Sequence, residues 1–202
     1  KGRKDARIRR EVKLRGLSAH PFKKHRFNLK RRPRYGASAQ RAKVTIVEFA
    51  DFECPFCRVI SPQLKRVVRE LTSKGVSLVY KHFPVSSHKR AIACGRAAYA
   101  AHKQGKFWKL HDLLYKKAPR LSDSQLESYA KKVGLGMTRF RAVRDGRRSR
   151  LILAADKKEG LRAGVKGTPT FFVNGKLYRA RKDYTELRDR IEEELNLARG
   201  GR

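Results

Sequence analysis

Cys54 and Cys57 stand three positions apart in the run Cys54-Pro55-Phe56-Cys57, directly after the apolar segment Val44–Phe49 and before a stretch with helical periodicity. Two thiols at that spacing can close into a disulfide and open again. At a strand-to-helix junction such a pair is a redox device far more often than a structural bridge. Two other chemistries remain open on these residues alone. A purely structural bridge would close too small a loop to stabilise much. A zinc site would need a second ligand pair, and His82 and His88, the nearest histidines, do not supply one. No metal is therefore expected. Cys94, the third cysteine, lies among small apolar residues in Ala91-Ile92-Ala93-Cys94-Gly95 and reads as a buried, inert thiol.

The elements that must hold the pair are legible around it. Val44 to Phe49 is β-branched and aromatic and apolar on both faces, which suits an interior strand. Pro55 fits the first turn of the helix that follows, and Cys57, Ile60, Leu64, Val67, Val68 and Leu71 recur at helical spacing until Gly75. Val76 to Phe83 reads as a second, alternating strand that Pro84 ends. From about residue 86 to 164 the pattern is helical. It includes an Ala-rich stretch from Ala91 to His102, a bulky cluster from Phe107 to Tyr115 that reads as core, and a capping box at Ser122-Asp123-Ser124-Gln125. Phe171-Phe172-Val173 is a strand, Asn174-Gly175 a two-residue hairpin turn, and Tyr184 to Leu197 a closing amphipathic helix. The order β, α, β, helical block, β-hairpin, α reads as an α/β domain in which the helical block at about residues 86–164 separates a βαβ half from a ββα half.

The chain has 202 residues, which fits one domain with an insertion better than two domains. Residues 1–40 read as a basic, flexible N-terminal extension, with a short basic helix between Arg7 and Leu17, and residues 41–199 as the folded domain. Phe27 to Tyr35 reads as an extended lead-in to the sheet. No apolar run approaches the roughly 20 residues that cross a bilayer. The N-terminus has neither an initiator Met nor the apolar core of a signal peptide, so a processed form is expected. The net charge is +34, and it is not confined to a tail: residues 1–43 hold 17 basic and 2 acidic side chains, the rest 35 and 16. Such a surface attracts polyanions, anionic lipid or acidic proteins through its long-range field.

Four stretches carry a family resemblance: VTIVEFADFECPFC at 44–57, VYKHFP at 79–84, QGKFWKLHDLLY at 104–115 and GVKGTPTFFVNGK at 164–176. With these, the chain resembles the DsbA-like branch of the thioredoxin superfamily over about residues 42–197, and the resemblance implies an α/β thioredoxin fold with a helical insertion between its βαβ and ββα halves. The resemblance implies a thiol:disulfide oxidoreductase that forms or shuffles disulfides in unfolded or partly folded protein substrates, without a cofactor. It also implies a redox partner that regenerates the active disulfide, and a periplasmic or otherwise extracytoplasmic setting. The charge departs from the family's usual balance.

Residue roles follow from that resemblance. Cys54, at a helix N-terminus where free N–H groups favour an anion, is the accessible nucleophile, and Cys57 one turn inward resolves the mixed disulfide. Pro55 stiffens the loop and removes an N–H, while Phe56 either tunes the pair or touches a substrate chain. Pro169 resembles the family's cis-proline, baring the Thr168 backbone so that an extended substrate can pair with it. Glu48 matches a buried acid that moves protons to and from the inner cysteine. Lys81 and His82 could lie near the site. Two rival readings are a polyanion- or nucleic-acid-binding protein on a thioredoxin scaffold and an oligomeric disulfide isomerase assembled through residues 1–40.

Overall fold

A computed structural model of the chain describes residues 24–119, 121–179 and 182–200. The reading of Arg7 to Leu17 as a helix, and that of residues 1–40 as a flexible extension where it concerns the first 23, lie outside the described residues. Among those described, five strands share one sheet with seven helices around it. The strands are β1 (Arg34–Gly36), β2 (Val44–Ala50), β3 (Val76–His82), β4 (Thr170–Val173) and β5 (Lys176–Leu177). The helices are α1 (Pro55–Glu70), α2 (Ala91–His102), α3 (Phe107–Lys117), α4 (Asp123–Lys132), α5 (Met137–Asp145), α6 (Arg147–Arg162) and α7 (Tyr184–Gly200). The sheet order is β1-β3-β2-β4-β5, with β2 parallel to β3 and the other pairs antiparallel. This is a mixed α/β thioredoxin-like fold. Its βαβ half is β2-α1-β3, its ββα half is β4-β5-α7, and α2 to α6 are inserted between them.

β2 is central because its side chains can be buried on both faces. Every β2 residue except Thr45 is buried, and so is all of β3. One face packs Ile60, Leu64 and Val67 of α1 with Leu187, Ile191 and Leu195 of α7. Towards the insert that face continues into Phe52, Tyr80, Phe107, Leu110, Leu114 and Tyr115. The opposite face is covered by α6 and by the segment leading into β1. Phe27 there packs edge-on against Phe49 and Phe172, with ring centroids 5.5 and 4.8 Å away. Gly160 lets α6 come this close, since a Cβ at that position would lie 2.9 Å from the Phe49 and Phe83 rings.

β3 departs from a half-buried strand, and the reason is Lys81. Alternation sends Tyr80 and His82 towards the insert and Lys81 to the other face. There Lys81, fully buried, binds Asp156 at 3.0 Å and also Glu159, while Arg32 reaches Asp156 at 2.7 Å. Lys81 therefore lies away from the cysteine pair, holding α6 to the sheet. The local signals behave as their chemistry requires. Pro55 opens α1, Ser122 and Gln125 form the reciprocal capping box of α4, and the Asn174-Gly175 turn takes φ of +48° and +79°.

Candidate active site

Cys54 is the N-cap of α1, with an extended backbone (φ −67°, ψ 118°) that turns the chain from the β2 end into the helix. Asp51 makes that turn. Its carbonyl accepts the Cys54 N–H at 3.2 Å, and its buried carboxylate accepts the N–H groups of Glu53 at 2.9 Å and Val85 at 2.8 Å. His88 Nδ1 lies 2.9 Å from the same carboxylate. Glu53 reaches across to accept the Arg90 N–H. Two acids thus brace the cysteine loop against the segment after β3.

Both thiols are free, and they are unequally placed. Cys54 is 4% exposed and Cys57 0%, so Cys54 is the outer of the two, though far more covered than an exposed nucleophile would be. The side chain that projects is Phe56, 72% exposed, beside exposed Pro55 and Val59. The Cys54 thiol donates to the Thr168 carbonyl at 3.2 Å, which brings the β4 approach loop onto the sulfur. The Thr168–Pro169 peptide bond is cis, and both residues are half-buried.

The electrostatics separate the two sulfurs. A hydrogen bond from the Cys57 thiol is the largest influence pulling Cys54 down to about 5; the Thr168 side chain and the Cys57 and Phe56 N–H groups add to it, against the effect of burial. Cys57 moves the other way, driven well up first by burial, then by its hydrogen bond to Cys54 and by the charge of Glu48. Glu48, fully buried in β2, is pushed up to about 8, chiefly by burial and then by the charge on Cys54. At neutral pH the site can therefore hold one thiolate, one protonated thiol and a carboxyl able to give or take a proton.

The predicted residues Cys54, Cys57, Glu48, Thr168 and Pro169 come together, with Pro55 and Phe56 on the rim. Lys81 does not join them, and His82 faces the insert, its titration lowered to about 4 mainly by burial. Asp51, Glu53, Tyr80 and Tyr115 join the site with no local motif that marks them for it. The Tyr115 hydroxyl donates to the Asp51 carbonyl at 3.4 Å, and Tyr80 is the β3 register partner of Glu48. Only cross-strand register exposes such a pairing. Cys94 is buried and its thiol is raised to about 12, chiefly by burial. Among the described residues no cluster of metal-ligating side chains occurs, and no helix is long and apolar enough to cross a membrane.

Comparison with known proteins adds three findings. The family model described as Thioredoxin matches residues 30–193. The "Na(+)/H(+) antiporter NhaA 3" of Salinispora tropica is 40% identical over 138 residues, 68% of this chain and 21% of that protein. The chain thus spans about a fifth of the length of the curated relatives it matches. Among solved structures, oxidised BdbD from Bacillus subtilis superposes with a TM-score of 0.73 at 26% identity, covering 86% of this chain and 97% of that one. A periplasmic thioredoxin-like protein from Salmonella enterica serovar Typhimurium gives 0.71 at 23%, covering 84% and 93%.

Proposed function

The chain belongs to the thioredoxin family, and from that premise we propose that it is a thiol:disulfide oxidoreductase that forms or shuffles disulfides in protein substrates through Cys54 and Cys57. The observation that carries this reading is the free Cys54 thiol at the N-cap of α1, 3.2 Å from the Thr168 carbonyl, with the free Cys57 buried one turn inward; the opposed shifts of the two sulfurs, Cys54 down and Cys57 up, support it. In the oxidised form a substrate thiolate attacks Cys54. The Cys54–Cys57 bond breaks, and Cys57 leaves as a thiolate that collects a proton from Glu48. A second substrate thiolate then attacks its own sulfur in the mixed disulfide and expels Cys54 as a stabilised thiolate. The substrate leaves oxidised by two electrons and the cysteine pair is left reduced. A low outer-cysteine pKa stabilises the reduced enzyme and biases the pair towards oxidising its substrates.

An unfolded or partly folded chain approaches over Pro55 and Phe56 and pairs with the backbone bared at Thr168 and Pro169. A thiol-oxidising partner restores the disulfide. An extracytoplasmic setting suits this chemistry, because disulfides form and persist in oxidising compartments. The likeness to part of an antiporter is compatible with it, because the matched stretch is 21% of that protein and no described helix could cross a membrane. Cation antiport is not proposed for this chain.

The decisive experiment uses Cys57→Ser. This variant should accumulate a mixed disulfide through Cys54 with a dithiol peptide, seen as a mass adduct that dithiothreitol removes. Wild-type protein that neither oxidises nor reduces such a peptide would refute the assignment. The charge of +34 favours polyanion binding as a second reading. That binding should fall steeply with salt and survive replacement of both Cys54 and Cys57 by Ser. For an oligomeric isomerase, the solution mass should drop when residues 1–40 are removed.

A further inference from the structure

Glu48 and Tyr80 are register partners on the parallel strands β2 and β3, so both side chains leave the same face of the sheet. Both are fully buried. Neither carboxyl oxygen of Glu48 has a hydrogen-bond partner in the protein, and the Tyr80 hydroxyl has none of full hydrogen-bond geometry: the Tyr115 hydroxyl acts on its oxygen as a donor, which leaves the Tyr80 proton uncommitted. Buried polar atoms in native proteins are almost always paired, with protein or with an internal water. Three such oxygens on adjacent strands supply the two to four partners that a buried water needs.

We propose that Tyr80 is a positioning residue for Glu48: the carboxyl and the phenol share one buried water, and the hydroxyl steadies the carboxylate that exchanges a proton with Cys57. This rests on the proton role given to Glu48 above. The groups facing the pair are Cys54 and Cys57 from the α1 end, Asp51 from the loop after β2, and Tyr115 and His111 from α3. The His82 ring lies beside Tyr80 on β3, and β4 offers the apolar Phe171 opposite Glu48. None of the charged groups among them is paired with Glu48, which leaves the tyrosine hydroxyl as the neutral donor on the adjoining strand.

When the mixed disulfide closes back, Glu48 takes the Cys57 proton and the Cys57 thiolate attacks Cys54. The Cys54–substrate bond breaks, the Cys54–Cys57 bond forms, and the substrate departs as a thiolate carrying the two electrons. Tyr80 keeps its own proton throughout. Its titration is raised well above the ordinary phenol value, first by burial.

Tyr80→Phe removes only the hydroxyl from a packed ring. Two readouts are needed: the Glu48 carboxyl titration in the reduced protein, followed by its infrared C=O stretch, and the pH profile for closure of a preformed Cys54–glutathione mixed disulfide. In Tyr80→Phe the Glu48 midpoint should rise by about one pH unit, the size expected for one lost hydrogen bond to the charged form. Closure at pH 7 should slow by up to about tenfold while the high-pH limit is retained. In a Glu48→Gln background, Tyr80→Phe should cost nothing further. If Tyr80→Phe does not fold, 3-fluorotyrosine at position 80, a stronger donor of nearly the same shape, should move the midpoint down. An unmoved Glu48 midpoint in either protein overturns the proposal. If Glu48→Gln itself leaves the pH profile unchanged, the proton role of Glu48 fails and this inference with it. Loss of mixed-disulfide trapping in Cys57→Ser would instead strike the redox reading.

Discussion

The Cys54 sulfur carries a negative charge in the reduced protein at neutral pH and none in a disulfide, and that makes stability depend on redox state. A thiol ordinarily titrates near 9, and Cys54 in the folded reduced form titrates at about 5. A depressed folded pKa adds stability as pH rises through the folded value, and the gain is complete only above the unfolded one. The reduced protein should therefore gain on the oxidised protein across about pH 5 to 9, and lose the gain as pH falls through 5. Glu48 acts in the opposite sense, because its raised pKa costs stability from the ordinary carboxyl value of 4.5 up to about 8. Burial is the larger cause of that cost and is present in both redox forms, so most of it cancels in the comparison. Urea midpoints of the two forms at pH 4.5, 7 and 8.5 measure the difference. Iodoacetamide alkylation of Cys54 should show its half-maximal rate near pH 5. A midpoint near 9 would remove the electrostatic basis of the mechanism.

At the scale of elements, the buried charges on the far face of the sheet decide how firmly α6 and the lead-in to β1 are attached. Asp156 has no exposed side-chain surface and serves Arg32, Lys81 and the His82 N–H together. Asp156→Ala should destabilise the protein by about 3–5 kcal/mol, because it leaves Arg32 without its carboxylate and the fully buried Lys81 with Glu159 alone. Adding Lys81→Met should restore part of the loss in a urea titration, and a double variant no better than the single one would show that the Lys81 charge is not the cause. This cluster also marks where sequence reading stops. The strand-helix-strand order, Pro55 at the start of α1, the Ser122 box and the Asn174-Gly175 turn are visible because each depends on residues within a few positions of one another. The cysteine pair and Pro169 are visible as motifs. Lys81 looks like one polar residue of an alternating strand until α6, some 75 positions on, supplies Asp156. Tyr80 likewise gains meaning only from the register that sets it beside Glu48. The bracing by Asp51 needs the Val85–His88 segment folded back upon the cysteine loop.

Over the whole molecule, 52 basic side chains face 18 acidic ones, and the acids are largely committed within the fold. Asp112, Glu127, Asp145, Asp156 and Glu194 all lie in ion pairs, and Glu48 is buried beneath the cysteines. What remains towards solvent is a strong positive field around a rim whose projecting groups, Phe56 and Val59, are apolar. Such a field changes how often a charged partner arrives far more than it changes the exchange chemistry once the sulfurs meet. If the chain exchanges disulfides as proposed, the field should therefore select among substrates by charge, through the association rate. Dithiol peptides with the same residues next to cysteine but net charge −4 or +4 should be oxidised at rates at least tenfold apart at about 10 mM salt, the acidic one faster. The Debye length falls from roughly 30 Å at that salt to about 3 Å at 1 M, so the two rates should converge there. The intramolecular closure of a Cys54 mixed disulfide involves no encounter and should keep its rate as salt rises. Charge preference that persists at 1 M would instead mean that the acidic peptide is held by short, specific ion pairs at the rim.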